Sequence, residues 1–164
     1  MIAAFDVHYF PDGKASAAAV LFRHYSDATA CLTYTVPVDA VFRYVPGQFY
    51  RRELPCILRL LHEFQEVPAE MIVDGYLMLA GRPGLGRHLF ESLGGKVPVI
   101  GVAKSEYRGS TRVEVLRGRS KRPLYVTSAG MDPVDAAERI RSMHGTARIP
   151  TLLKYVDRLA RGAA

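Results

Sequence analysis

Apolar and polar positions change rhythm several times along the chain, and each change marks an element. Ile2 to Tyr9 and Ala15 to Phe22 are mostly apolar runs on either side of Pro11-Asp12-Gly13, a turn sequence. Thr29 to Val36 is a further run after the polar Ser26-Asp27 turn. Three such runs with short connections predict an antiparallel meander. From Glu53 to Phe64 the spacing becomes helical, with Leu54, Ile57, Leu58 and Leu61 on one face. Pro55 is tolerated there as part of a first turn. Met71-Ile72-Val73 predicts a short buried strand ending in Asp74-Gly75. Pro83 to Leu93 predicts a helix, and Val97 to Ala103 a second buried strand that runs into Lys104. Arg112 to Leu116 and Leu124 to Thr127 predict later strands around the basic turn Arg117 to Arg122. The end is helical over Asp132 to Met143 and Thr151 to Ala160, with Asp132 a good N-cap and Pro133 at the first helical position.

The order β-β-β-α-β-α-β-β-β-α-α passes from a meander to strand–helix alternation. It predicts an α/β fold with a mixed central β-sheet and helices on both faces. Residues 1–164 contain no repeat, linker or low-complexity segment and read as one domain.

The segment Arg43 to Pro55, RYVPGQFYRRELP, breaks the pattern. It is too Pro/Gly-rich at its start for a helix and alternates too poorly for a strand. Proline and glycine predict a stiff, kinked tip at Tyr44, Val45, Pro46 and Gly47, where an aromatic is presented at low entropic cost. Arg43, Arg51 and Arg52 add positive charge, and Gln48 has no evident role.

Composition narrows the classes. With 49% hydrophobic residues the chain folds, and no apolar run of about 18 residues predicts a transmembrane helix. MIAAFDVHYF lacks the basic and long apolar regions of a signal peptide. Cys31 and Cys56, without CxxC spacing, support neither a disulfide framework nor a zinc site, so a cytoplasmic location is expected. His8, His24, His62 and His144 lack paired ligand spacing. The net charge of +6 favours a polyanionic partner, most simply nucleic acid, although many basic proteins bind none.

Three carboxylates carry the candidate chemistry. Asp6 interrupts an apolar strand, and an uncompensated buried carboxylate costs several kcal/mol. It needs a metal or a partner, unless it lies at a strand edge. Asp74 ends the fourth strand, where ligands gather in open α/β sheets; an ordinary Asp-Gly turn is the alternative. If strands one and four are neighbours, Asp6 and Asp74 face each other about 5 Å apart, and such anions repel unless a cation intervenes. Glu53 supplies a third hard oxygen ligand, a set suited to Mg²⁺ or Mn²⁺ and to phosphodiester hydrolysis.

FDVHY, RYVPGQFYRRELP, IVDG, PVIGVAKS, LYVTSAG and ARIPTLLKYVD occur here in order. Across nearly the whole chain they resemble the endonuclease V family. The resemblance implies a ribonuclease H-like fold and Mg²⁺- or Mn²⁺-dependent cleavage of DNA or RNA near deoxyinosine or inosine, at the second phosphodiester bond on the 3′ side. It implies metal ligation by Asp6, Glu53 and Asp74, completed by Asp157, with Lys104 stabilising phosphate charge. It makes Tyr44, Val45, Pro46 and Gly47 a wedge inserted at the lesion. Arg51 and Arg52 would lie near phosphates, and Gly75 and Gly84 near the base. The chain departs from the family after Asp74-Gly75, where Tyr76 and Leu77 replace a small, glycine-rich turn, and at Met131, where a histidine is common. It also begins almost directly at the first strand.

Other motifs have bland readings. GRPGLGRH matches neither phosphate-loop pattern; Gly84 and Gly86 permit close helix packing or approach to a flipped base. The basic turn contacts phosphates or forms a solvated hairpin, and Ser128 lies in no nucleophile elbow. The expected function is therefore a metal-dependent endonuclease acting on inosine-containing nucleic acid in DNA repair or inosine-RNA processing, with no membrane or protein partner implied. The alternatives are a non-catalytic or altered-specificity binder of damaged or single-stranded nucleic acid, and a protein-interaction module with a decayed site.

Overall fold

The computed structural model describes residues 1–39, 41–43, 45–46 and 48–162. In chain order the elements are β1 (Ile2–Tyr9), β2 (Ala15–Phe22), β3 (Leu32–Val38), α1 (Tyr50–His62), β4 (Glu70–Asp74), β5 (Met78–Leu79), β6 (Arg82–Pro83), α2 (Leu85–Ser92), β7 (Val99–Ala103), β8 (Val113–Val115), β9 (Leu124–Ala129), α3 (Pro133–Ser142) and α4 (Thr151–Ala160). Seven strands form one sheet in the order β3-β2-β1-β4-β7-β9-β8. β1, β4 and β7 run parallel at its centre, and the strands on either side pair antiparallel.

Period-two alternation sends neighbouring side chains to opposite faces. Ile2, Ala4, Ile72, Ile100 and Val102 pack with Ile140 of α3 and with Leu152 and Val156 of α4. Ala3, Phe5, Met71, Val73 and Val99 pack with Ile57 and Leu60 of α1 and Leu89 of α2. The mixed sheet with helices on both faces is as expected. β2 is lined with alanines, and Ala17, Ala18 and Ala19 are fully buried, so helices on both sides can approach it closely.

Several boundaries differ for physical reasons. Helix α1 begins at Tyr50, three residues before the expected start. The carbonyls of Gln48 and Phe49 accept from the Arg51 and Arg52 amides at 3.1 and 3.0 Å, which starts the helix early. Gln48 also donates its amide to the Val45 carbonyl at 2.9 Å, closing a turn, so its main chain ties the loop to the helix. Pro55 consequently lies inside the helix, not in its first turn. It removes the N–H that would reach the Arg51 carbonyl.

Strand β3 is shifted to Leu32–Val38 and takes in Pro37, which an edge strand accommodates. The hairpin β5–β6 was not anticipated. Its two turn residues, Ala80 and Gly81, have φ of 47° and 81°, the doubly left-handed turn usually announced by Asn-Gly; Ala-Gly gives no such notice. Pro83 therefore belongs to β6, and α2 starts two residues later than expected. Arg117 is buried and does not belong to a solvated turn: its guanidinium donates to the carbonyls of Met143, Gly145 (3.0 Å) and Ala147 (3.1 Å), tying off the C-terminal end of α3. Arg119, Lys121 and Arg122 remain exposed or partly exposed.

No helix among the described residues is long and apolar enough to cross a membrane.

Candidate active site and base pocket

The parallel register between β1 and β4 pairs Ala3 with Met71 and Ala4 with Ile72. Continued by two residues, it sets Asp6, inside β1, beside Asp74, the last residue of β4. Next to β4, Asp74 is in register with Val102 of β7, so Lys104 follows within reach, and its Nζ lies 3.5 Å from Asp74 Oδ2. Asp6, Asp74 and Lys104 each stand two residues beyond a core residue of the α3–α4 face: Ala4, Ile72 and Val102. They therefore project toward α4, whose Asp157 and Val156 line the same cleft, a space of about 390 Å³ open to solvent.

Glu53 reaches the site from the opposite face. It is the fourth residue of α1, 3% exposed, and its Oε2 is buried without a hydrogen-bond partner. Burial pushes its carboxyl well above the usual carboxylate range, and the charges of Asp74 and Asp6 push it further. Asp6 is raised to about 6, first by burial and then by Asp74 and Asp157. The charge of Asp6 raises Glu53, and those of Asp74 and Asp157 raise Asp6, which marks a crowded anionic site.

Asp157 behaves differently. Both its oxygens accept from Arg161, at 3.1 Å each, and this guanidinium holds its carboxyl below the usual range. As they stand, no three His, Cys, Asp or Glu side chains among the described residues converge into a ready ligand set. The donor chemistry of Asp6, Asp74 and Glu53 nonetheless fits a hard divalent cation: all are carboxylates, two have raised pKa values, and one oxygen is buried and unpartnered.

On the other side of Asp74 and Lys104 lies a second, wider cavity of about 1020 Å³ including its open mouth. Phe49, Tyr50, Tyr76 and Tyr107 give it aromatic walls, and Gly75 and Gly84 line it as well. The Gly75 amide donates to the Val102 carbonyl at 3.0 Å. Gly84 is required for close approach: a Cβ there would meet the Tyr76 carbonyl at 2.4 Å. Gly101 is confined in the same way, with the Gly75 carbonyl at 2.4 Å and Leu77 and Thr127 beside it. Tyr76 thus lines this cavity, with Leu77 packed behind it against Gly86 and Gly101.

Of the expected loop residues, Val45 and Pro46 are exposed, whereas Tyr44 and Gly47 lie outside the described residues. Arg51 is exposed at the start of α1. Arg52 packs inward, its guanidinium 4.1 Å from the centre of the Tyr9 ring. His88 stacks on Tyr50 at 3.7 Å, joining α2 to α1. Sequence reasoning missed Tyr76 and Tyr107 as pocket walls. An aromatic directly after a strand-terminal Asp-Gly was the available signal.

A family model described as Endonuclease V matches residues 1–144. Endonuclease V of Xylella fastidiosa (strain Temecula1) is 34% identical over 110 residues, covering 66% of this chain and 45% of that protein. The chain thus spans less than half the length of that curated relative. The structure of endonuclease V from Streptomyces avermitilis superposes with a TM-score of 0.81 at 27% identity, covering 99% of this chain and 80% of that one. Ciona intestinalis endonuclease V, solved in complex with a 24mer DNA containing an inosine followed by a ribo-adenosine, shares the fold with a TM-score of 0.79 at 18% identity, covering 98% and 84%. The sheet is that of a ribonuclease H-like fold, and with its family model matched over most of its length the chain belongs to the endonuclease V family.

Proposed function

We propose that this protein is a divalent-metal-dependent endonuclease that hydrolyses a phosphodiester bond on the 3′ side of deoxyinosine or inosine, leaving a 5′-phosphate and a 3′-hydroxyl. One observation carries the reading: a cleft of mutually repelling carboxylates, with Lys104 at its rim, opens beside an aromatic cavity across the shared Asp74 and Lys104. Asp6, Glu53 and Asp74 would hold the cation, with Asp157 available once it releases Arg161. Bound there, Mg²⁺ or Mn²⁺ supplies Lewis acidity, which acidifies water and offsets charge on the leaving oxygen.

The chain's own groups do the rest. Lys104 meets the scissile phosphate as a point charge. The aromatic cavity receives the unstacked base and holds it by stacking. The exposed Val45-Pro46 tip separates the strands, and Arg51 binds flanking phosphate. Family membership and the net charge of +6 support nucleic acid as the partner. Cys31 and Cys56 are both free thiols, which suits a reducing compartment such as the cytoplasm.

The test is cleavage of DNA and RNA oligonucleotides carrying one hypoxanthine, with Mg²⁺, by the wild type and by Asp74→Ala. Cutting by the wild type alone supports the reading; equal cutting by both sinks the assigned site. A second reading, binding without cleavage, draws on the absence of a converged ligand set among the described residues. It predicts salt-sensitive retention of the oligonucleotide and no product at any Mg²⁺ or Mn²⁺ concentration.

A further inference from the structure

Tyr76 sits two residues beyond Asp74, and only 7% of it is exposed. Its hydroxyl donates to the Ser105 carbonyl at 2.9 Å and accepts from the Tyr107 amide at 3.0 Å. One side chain thus clips the segment after β7 to the segment after β4. The clip is reinforced from behind, because the Arg148 guanidinium donates to the neighbouring Lys104 carbonyl and to the Pro123 carbonyl at 2.7 Å. Two successive carbonyls, those of Lys104 and Ser105, are therefore each tied by a different side chain. The clipped segment, Lys104 to Tyr107, is one wall of the aromatic cavity.

A tyrosine hydroxyl has a single proton, and here it is spent on Ser105. Tyr76 has no donor left to offer a base. What it can offer the cavity is its ring, which lies roughly parallel to the Tyr125 ring at 6.4 Å and is tilted against Tyr107 at 6.2 Å. Without the hydroxyl, the Tyr107 amide loses its acceptor, the Ser105 carbonyl loses its donor, and the wall is free to move. Sub-ångström displacement of a recognition wall matters, since discrimination between bases rests on hydrogen bonds at fixed positions.

Resting on the function proposed above, we infer that Tyr76 is a positioning residue for base selection: its hydroxyl fixes the Lys104–Tyr107 wall of the cavity, and that wall sets the preference for hypoxanthine although the hydroxyl does not touch the base. Selectivity is thereby placed in a contact between two loops, 29 and 31 residues apart in sequence, and not in a side-chain donor aimed at the ligand.

Tyr76→Phe tests this, because it keeps the ring and its packing while removing both hydrogen bonds. Two readouts are taken on wild type and variant: amide hydrogen exchange at Tyr107, and the kcat and KM for otherwise identical oligonucleotides carrying hypoxanthine or adenine at one position. The expected result is exchange at Tyr107 faster by about tenfold, the scale of one lost hydrogen bond. The hypoxanthine-to-adenine ratio of kcat/KM should fall by a similar factor of about ten, mainly through KM for the hypoxanthine strand. A packing residue without this role would lower the melting temperature and leave that ratio alone. An unchanged ratio in a variant whose Tyr107 amide has lost protection overturns the inference, as does unchanged protection of that amide. A wild type that does not distinguish hypoxanthine from adenine overturns the proposed function instead, and the exchange measurement still reports on the clip.

Discussion

The two cavities that share Asp74 and Lys104 are built on opposite electrostatic terms. In the cleft toward α4, like charges are forced together, and Glu53, approaching Asp6 and Asp74 from the α1 side, has a buried oxygen without a partner. In the aromatic cavity the Tyr76 hydroxyl donates to and accepts from the main chain, and Leu77, packed behind it, donates its amide to Thr127 Oγ1 at 3.1 Å. An unfinished site next to a finished one points to different ligands. On the proposed function the first takes a cation, and the second takes a flat ring. Unsatisfied polar groups cost stability, so they are retained where a ligand repays the cost.

The largest effect that would break this contrast is on chemistry. Asp74→Ala removes the carboxylate common to both cavities and should lower the rate of oligonucleotide cleavage by at least about 10³-fold, the scale of losing a main electrostatic stabiliser. Lys104→Ala should cost about 10²-fold in the same assay, while leaving cation binding in place because Lys104 is no ligand. On the finished side, Gly101→Ala inserts a methyl against the Gly75 carbonyl and should destabilise the fold by about 1–3 kcal/mol in urea unfolding.

The smallest effect is a pH dependence confined to the anionic cleft. Asp6 is raised from 3.8 to about 6, so its neutral form is the one that folding favours. Its contribution is complete below pH about 4 and is lost as pH rises through about 6. Allowing for partial exposure, the loss is ~1–2 kcal/mol in metal-free protein. Mg²⁺ added at pH 7.5 should restore it by mass action, whereas at pH 4 the same addition should do little. Equal Mg²⁺ effects at both pH values would detach the cation from Asp6.

Much of this architecture is legible in the chain. β1, β2, α3 and α4 follow from apolar runs, a Pro-Asp-Gly turn and an Asp-Pro cap. Indeed, Asp132 accepts from the Val134 amide at 2.8 Å. Asp74 and Lys104 could be read as strand-end residues and Asp6 as a break in an apolar strand, because period-two alternation and a parallel register suffice to bring them together. Three features could not. Glu53 is legible as a third oxygen ligand, but its entry from the far face and its burial are not, since both depend on α1 starting at Tyr50, after the turn at Val45–Gln48. The hairpin β5–β6 uses an Ala-Gly turn that no local preference signals. The Tyr76 clip joins residues about thirty positions apart, so only the packed sheet reveals it. Arg117, which reads as part of a solvated basic turn, is buried for the same reason: its partners come from the chain between α3 and α4.

The central claim is that the carboxylate cleft completes itself by taking a divalent cation, with buried Glu53 as one ligand. Calorimetric titration of Mn²⁺ into the wild type and Glu53→Gln at pH 7.5 tests it without any nucleic acid present. The amide keeps the shape of the side chain and removes its charge. The account predicts a saturable Mn²⁺ site in the wild type and an affinity at least about tenfold weaker in the variant. Equal affinity in the two proteins would contradict it.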